Sequence, residues 1–146
     1  MLRPVSRITL AAAIALLVAA CGGSSTSPTP LNLAGTWYGS MTDLIAGQTT
    51  LQLVISESGA TLSGTWTQTY PDINLNALET QLGNNSGTLS GSIDGTTVNL
   101  LLTPQRAQAC YYPINFVATI SAMNGTWTFD ASCLTQDSGN ASLTKQ

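Results

Sequence analysis

Leu62-Ser63-Gly64-Thr65-Trp66 decides the fold. Leu62, Gly64 and Trp66 fall on one side of an extended segment while Ser63 and Thr65 fall on the other, the period-two pattern of a strand with one face on a core. The phrase recurs as Leu33-Ala34-Gly35-Thr36-Trp37, Leu89-Ser90-Gly91-Ser92-Ile93 and Met123-Asn124-Gly125-Thr126-Trp127. A glycine inside a strand permits sharp coiling or the close approach of a large side chain, and the apolar residue two places on shares its face. The repetition therefore signals curvature rather than stacked repeats.

Working outward, apolar residues occupy every second position in further runs. The inward sets are Gly35, Trp37 and Gly39; Leu51, Leu53 and Ile55; Leu62, Gly64 and Trp66; and Leu89, Gly91 and Ile93. Val98, Leu100 and Leu102 follow, then Ile114, Phe116, Ala118 and Ile120, then Met123, Gly125, Trp127 and Phe129, and last Ala141 and Leu143. Ser58-Gly59 and Asp94-Gly95 supply hairpin turns, glycine taking the positive φ that tight turns need. Short strands at this spacing predict an all-β, single antiparallel up-and-down barrel of about eight strands over residues 31–146. Alternation fades between Tyr70 and Gly83, where Asn74 to Leu82 reads equally as a loop or as one helical turn.

Cys110 and Cys133 are expected to form a disulfide within a hairpin. Centring the turn on Ser121-Ala122 sets the two cysteines opposite each other, and pairs Phe116 with Trp127, Ile114 with Phe129 and Ile120 with Met123, all apolar and on one face. Asn124-Gly125, the stronger turn dipeptide, would break that match. Directly opposed strand residues suit a disulfide, and closing this loop is worth roughly 3 kcal/mol by chain entropy.

Gly35-Thr36-Trp37 resembles the Gly-x-Trp opening of the calycins, the superfamily of lipocalins, fatty-acid-binding proteins and avidins. The resemblance implies a closed antiparallel barrel, with Leu143-Thr144-Lys145 as the closing strand against the first. Gly35-Thr36-Trp37-Tyr38 and Leu62-Ser63-Gly64-Thr65-Trp66 are most similar to avidins. Gly39, however, replaces that family's biotin-contacting Asn, and Gln68 replaces a contacting Ser, so the resemblance does not extend to biotin.

The N-terminus carries an address. Arg3 and Arg7 precede an apolar stretch from Ile8 to Val18, shorter than the roughly 20 residues a membrane span needs. Val18-Ala19-Ala20-Cys21 then resembles the lipobox of bacterial lipoproteins, which implies a cleaved signal over residues 1–20 and a lipidated Cys21. Residues 21–30 form the lipidated cysteine and its tether, the uncharged tract Gly22 to Pro30 having no apolar residue with which to fold. The implied place is the cell envelope, anchored to a membrane by lipid. Gly22, where lipoproteins kept at the inner membrane often carry Asp, points to the outer membrane in a Gram-negative host.

Beyond the signal the strong cations are Arg106 and Lys145, against seven acids, a net charge of about −5. An acidic domain with no basic cluster lacks the footprint of a nucleic-acid binder. The chain has no histidine, which removes the usual general base, and two bridged cysteines cannot hold zinc. Carboxylate pairs can hydrolyse glycosides without histidine, yet Asp43, Glu57, Asp72 and Glu79 are scattered over strand ends and loops. Asp137-Ser138-Gly139-Asn140 lacks the spaced acids of a calcium loop. No catalytic residue, metal ligand or cofactor is expected, and the reading is non-enzymatic.

Two uses of the aromatic residues stay open. Trp37, Trp66, Tyr70, Tyr111, Tyr112 and Trp127 line a pocket or rim for a small apolar ligand, or the tryptophans fill the barrel and the domain serves as a structural or protein-interaction module. On either reading Tyr111-Tyr112 is expected at an exposed rim.

Overall fold

A computed structural model describes residues 31–44, 47–106, 110–129 and 137–146. The described elements are β1 (Gly35–Asp43), β2 (Gly47–Ser58), β3 (Thr61–Thr69), α1 (Ile73–Leu82), β4 (Ser86–Asp94), β5 (Thr97–Pro104), β6 (Tyr112–Ala118), β7 (Ala122–Thr128) and β8 (Ser138–Lys145). Each strand pairs antiparallel with the next, and β8 returns to β1 to close an eight-stranded barrel. The closing ladder sets Trp37 opposite Lys145 and Gly39 opposite Leu143. Closure leaves no strand edge exposed.

The alternation read from the sequence is the inside and outside of this barrel. In β5, Val98, Leu100, Leu102 and Pro104 are buried between more exposed neighbours, and β2 buries Thr49, Leu51, Leu53 and Ile55 in the same way. Trp37, Trp66, Trp127 and Phe116 fill the interior with no more than 2% of their surface exposed. An eight-stranded barrel is only just wide enough for its own side chains, and three indoles use that width.

Glycines make room for them. Trp66 lies opposite Gly87 of β4, where a Cβ would fall 1.9 Å from the Thr103 carbonyl oxygen of β5. Across that gap the Trp66 indole N–H donates to the same carbonyl at 3.3 Å. The arrangement repeats at Trp127, opposite Gly139 of β8, whose indole N–H donates to the Thr42 carbonyl of β1 at 2.8 Å. Each of these tryptophans ties its own strand to the second strand along.

The two ends of the barrel differ. At the base lie the tight turns, with Gly59 and Gly95 at φ of 60° and 59°. The carbonyls of Ala60, Thr96 and Ser121 accept hydrogen bonds from the N–H groups of Ile93, Ala118 and Lys145, so each turn is bonded to a later strand. Leu33 plugs this end: it is fully buried, its N–H donates to Glu57 Oε2 at 2.6 Å and its carbonyl accepts from the Trp37 indole at 2.8 Å. The chain comes into the barrel here. The ends of β1, β3, β5 and β7, and α1 after β3, therefore lie at the opposite end, the crown.

The hairpin of β6 and β7 departs from expectation by two residues. Ile114 pairs with Trp127, Phe116 with Gly125 and Ala118 with Met123, and the turn centres on Ile120-Ser121. Thr119 closes it, with its N–H on the Ala122 carbonyl at 2.7 Å and its Oγ1 accepting from the Ala122 N–H at 3.0 Å. Gly125 explains the register, because a Cβ there would sit 2.0 Å from the Asn115 oxygen and 2.8 Å from Phe116 Cα. Only glycine fits opposite Phe116. An even shift preserves which face is inward but carries Ile120, expected inside, into the turn, where it is 70% exposed.

Between Tyr70 and Gly83 the structure resolves the open reading as a helix of ten residues. Asp72 caps it, its Oδ1 accepting from the N–H groups of Asn74 and Leu75 at 2.8 and 3.0 Å. Gly83 ends it at φ 70°, and the N–H groups of Gly83 and Asn84 bond back to the Thr80 and Glu79 carbonyls, the Schellman closure. None of its residues is buried.

Gly125→Ala is expected to lower the free energy of unfolding by about 1–3 kcal/mol, the usual cost of overpacking, measured by urea denaturation. An unchanged midpoint would mean that β6 and β7 do not approach so closely.

Candidate binding end of the barrel

The crown gathers most of the residues singled out from the sequence, but sorts them differently. Tyr112 packs edge-on to Trp66 and at a tilt to Trp127, both with ring centroids 5.6 Å apart, and lies 4.9 Å from Phe129. Trp127 and Phe129 meet edge to face at 5.5 Å. This four-ring cluster is internal packing, since Tyr112 is 7% and Trp66 2% exposed. Tyr70 is also buried, and Trp37 sits toward the base against Leu33. The expected rim therefore reduces to Tyr111, which is 44% exposed. Tyr112 begins β6 with its side chain inward, whereas Tyr111 lies just ahead of the strand, and that separates the two.

The same end holds a buried polar group that the sequence reading noted only as a departure from avidins. Gln68 is 1% exposed, and its Nε2 donates to Thr49 Oγ1 at 2.9 Å. Thr49 Oγ1 in turn donates to the Met41 carbonyl at 3.1 Å, which fixes the amide's orientation, because that hydroxyl has already given its proton. Gln68 Oε1 has no partner. The signal was present, as Leu62, Gly64, Trp66, Gln68 and Tyr70 form one period-two set with a polar member. Thr49 and Tyr70 also border an open depression of about 490 Å³ at this end, with Gln48, Thr50, Thr69 and Pro71. A second, of about 480 Å³, lies over Gly139 between Thr42 and Thr126.

The seam between β1 and β8 changes character at the crown. Their ladder runs from Trp37 and Lys145 to Met41 and Ala141; above it, side chains take over. The Asn140 N–H donates to Thr42 Oγ1 at 2.8 Å, the Trp127 indole to the Thr42 carbonyl, and the Leu44 N–H to Asp137 Oδ1 at 3.1 Å. Asp137 is 5% exposed and also accepts from the Ser138 N–H at 2.7 Å.

Three other acids have local partners too. Glu57 holds Leu33 at the base, Asp72 caps α1, and Glu79 Oε2 accepts from Asn84 Nδ2 at 2.8 Å. Among the described residues no three of His, Cys, Asp or Glu converge as a metal site would require. Cys21 and Cys133 lie outside the described residues. Cys110, half-buried ahead of β6, is disulfide-bonded.

No protein-family model, curated protein or solved structure matches this chain. The calycin-like character rests on strand number, order and closure.

Two measurements probe this end. Trp127→Phe keeps an aromatic ring but removes core volume and leaves the Thr42 carbonyl without its indole donor, and is expected to cost about 1–3 kcal/mol in thermal or urea unfolding. Alkylating the denatured chain without reductant is expected to leave the Cys110 and Cys133 peptides unmodified by mass; alkyl groups added before reduction would mean that the two are not paired.

Proposed function

We propose that this protein is a lipid-anchored, non-enzymatic envelope protein whose barrel is a scaffold for protein interaction and not a carrier for an apolar ligand. The observation that carries the reading is the filled interior: Trp37, Trp66, Trp127 and Phe116 occupy the space that a ligand would need. Ligand pockets in such folds are concave and largely preformed, whereas the two depressions found among the described residues are open.

Polarity along the barrel supports the same reading. A tether running from a lipidated Cys21 would join the domain at its base, beside the buried Leu33. β2, with 12 residues, rises roughly 3.3 Å per residue at a tilt of roughly 40°, which lifts the crown about 30 Å from the base. The end that carries α1 would then face away from the membrane that holds the anchor. Against catalysis stand the missing histidine and the engagement of Glu57, Asp72, Glu79 and Asp137 in hydrogen bonds within the fold.

Native mass spectrometry of the protein purified in mild detergent tests the reading. The expected spectrum is that of the lipidated chain alone. A small molecule bound in stoichiometric amount and released on denaturation would overturn the scaffold reading in favour of a ligand at the crown.

A further inference from the structure

Resting on that reading, we propose that α1 is the docking element of the crown, a ridge that inserts into an apolar groove with a neutral or basic rim on another protein. A ten-residue helix is marginal by itself, and most helices gain their stability by burying an apolar face. α1 buries no residue. It is held to the barrel by polar contacts: the Tyr70 N–H donates to Asn76 Oδ1 at 3.1 Å, Asn85 Nδ2 to Thr80 Oγ1 at 2.8 Å, and the Arg106 N–H to the Gly83 carbonyl at 3.0 Å. With both caps formed, the helix is fixed in place while its apolar side chains stay outside.

Those side chains have the spacing of a ligand helix. Leu75, Leu78 and Leu82 fall at i, i+3 and i+7, one stripe of an α-helix and the anchor pattern by which helices fill grooves. Leu78 is 50% and Leu82 38% exposed, while Leu75 is half-buried at the stripe's inner margin. Ile73, 80% exposed, lies at the first turn on the opposite side of the helix and is not part of the stripe. The barrel leaves other apolar side chains exposed, Val54, Leu101, Val117 and Ile120 among them, but α1 gathers its leucines on one stripe, and it could pack on the barrel by turning them inward. It presents Asn76, Glu79 and Thr80 to its own contacts instead.

Charge selects the occupant. From Tyr70 to Asn85 the only charged residues are Asp72 and Glu79, so an anionic bilayer would repel this surface, since bilayer docking favours clustered Lys and Arg. A second copy would bring the same two acids against their counterparts. A groove on a different protein, neutral or basic at its rim, meets neither penalty.

Photo-crosslinking in the native host tests the proposal, with a benzophenone amino acid placed singly at Leu78, Leu44, Tyr111 and Val117, the last on the barrel wall. The expected result is a discrete adduct to one polypeptide from Leu78 and none from Val117. That polypeptide, identified by peptide mass and purified, should bind the full-length protein and bind the Leu78→Asp/Leu82→Asp variant at least about tenfold more weakly. Circular dichroism of the variant should be unchanged, because both positions are exposed. Adducts from Leu44 or Tyr111 but not Leu78 would overturn the role of α1 and leave the scaffold reading standing; adducts from none of the three would overturn both. Crosslinks to lipid, flotation of the purified protein with phosphatidylethanolamine/phosphatidylglycerol vesicles, or crosslinks from Leu78 to another copy of this chain would each replace the proposed occupant.

Discussion

The indole of Trp127 crosses Gly139 to reach a carbonyl on β1, and that of Trp66 crosses Gly87 to reach one on β5. Most of the structure depends on this pairing of the largest side chain with the smallest. The interior of an eight-stranded barrel is narrow, so Trp66 and Trp127 enter where a facing strand has no Cβ, and each indole N–H must then find an acceptor. Carbonyls of the next strand supply it. Filling, coiling and closure are thus one solution: the glycines let strands bend inward, the indoles occupy the space, and their hydrogen bonds hold non-adjacent strands together.

From that filling follows the division of labour between the ends. The base is closed by Leu33, by Glu57 and by turns bonded to later strands, leaving little there to recognise anything. At the crown the strands diverge, side-chain bonds replace the β1–β8 ladder, and polar groups reach the interior. Gln68 Oε1 is an orphan acceptor in this region, a group of the kind that ordered water usually satisfies. α1 stands outside this region on polar struts. The surface with freedom to vary is the crown, which is why the scaffold reading places recognition there.

How far each element could be read depended on whether burial shaped its sequence. The inward sets of β2, β3 and β5 were legible because nearly every buried residue is apolar while its neighbours need not be, Thr49 and Gln68 being the buried polar exceptions. The β6–β7 hairpin was legible in its faces but not in its register: apolar matching cannot separate registers two residues apart, and the facing of Gly125 and Phe116 decided between them. α1 was illegible as a helix because it buries nothing, and hydrophobic periodicity reports only burial. Its start and stop were nevertheless written in Asp72 and Gly83. In the candidate site, Tyr111 and Tyr112 looked alike in sequence, and the start of β6 at Tyr112 separated them.

By itself the sequence determined that the chain from residue 31 onward would be a curved, antiparallel, all-β barrel, because period-two burial and strand glycines leave few other folds open. It also determined a chemistry without histidine and with little positive charge. The tertiary structure decided that the tryptophans fill the barrel, that Tyr70 and Tyr112 face inward, and that the leucines of α1 stay out. Those outcomes depend on which residues meet across strands distant in sequence, and each run read in isolation is silent about what it will face.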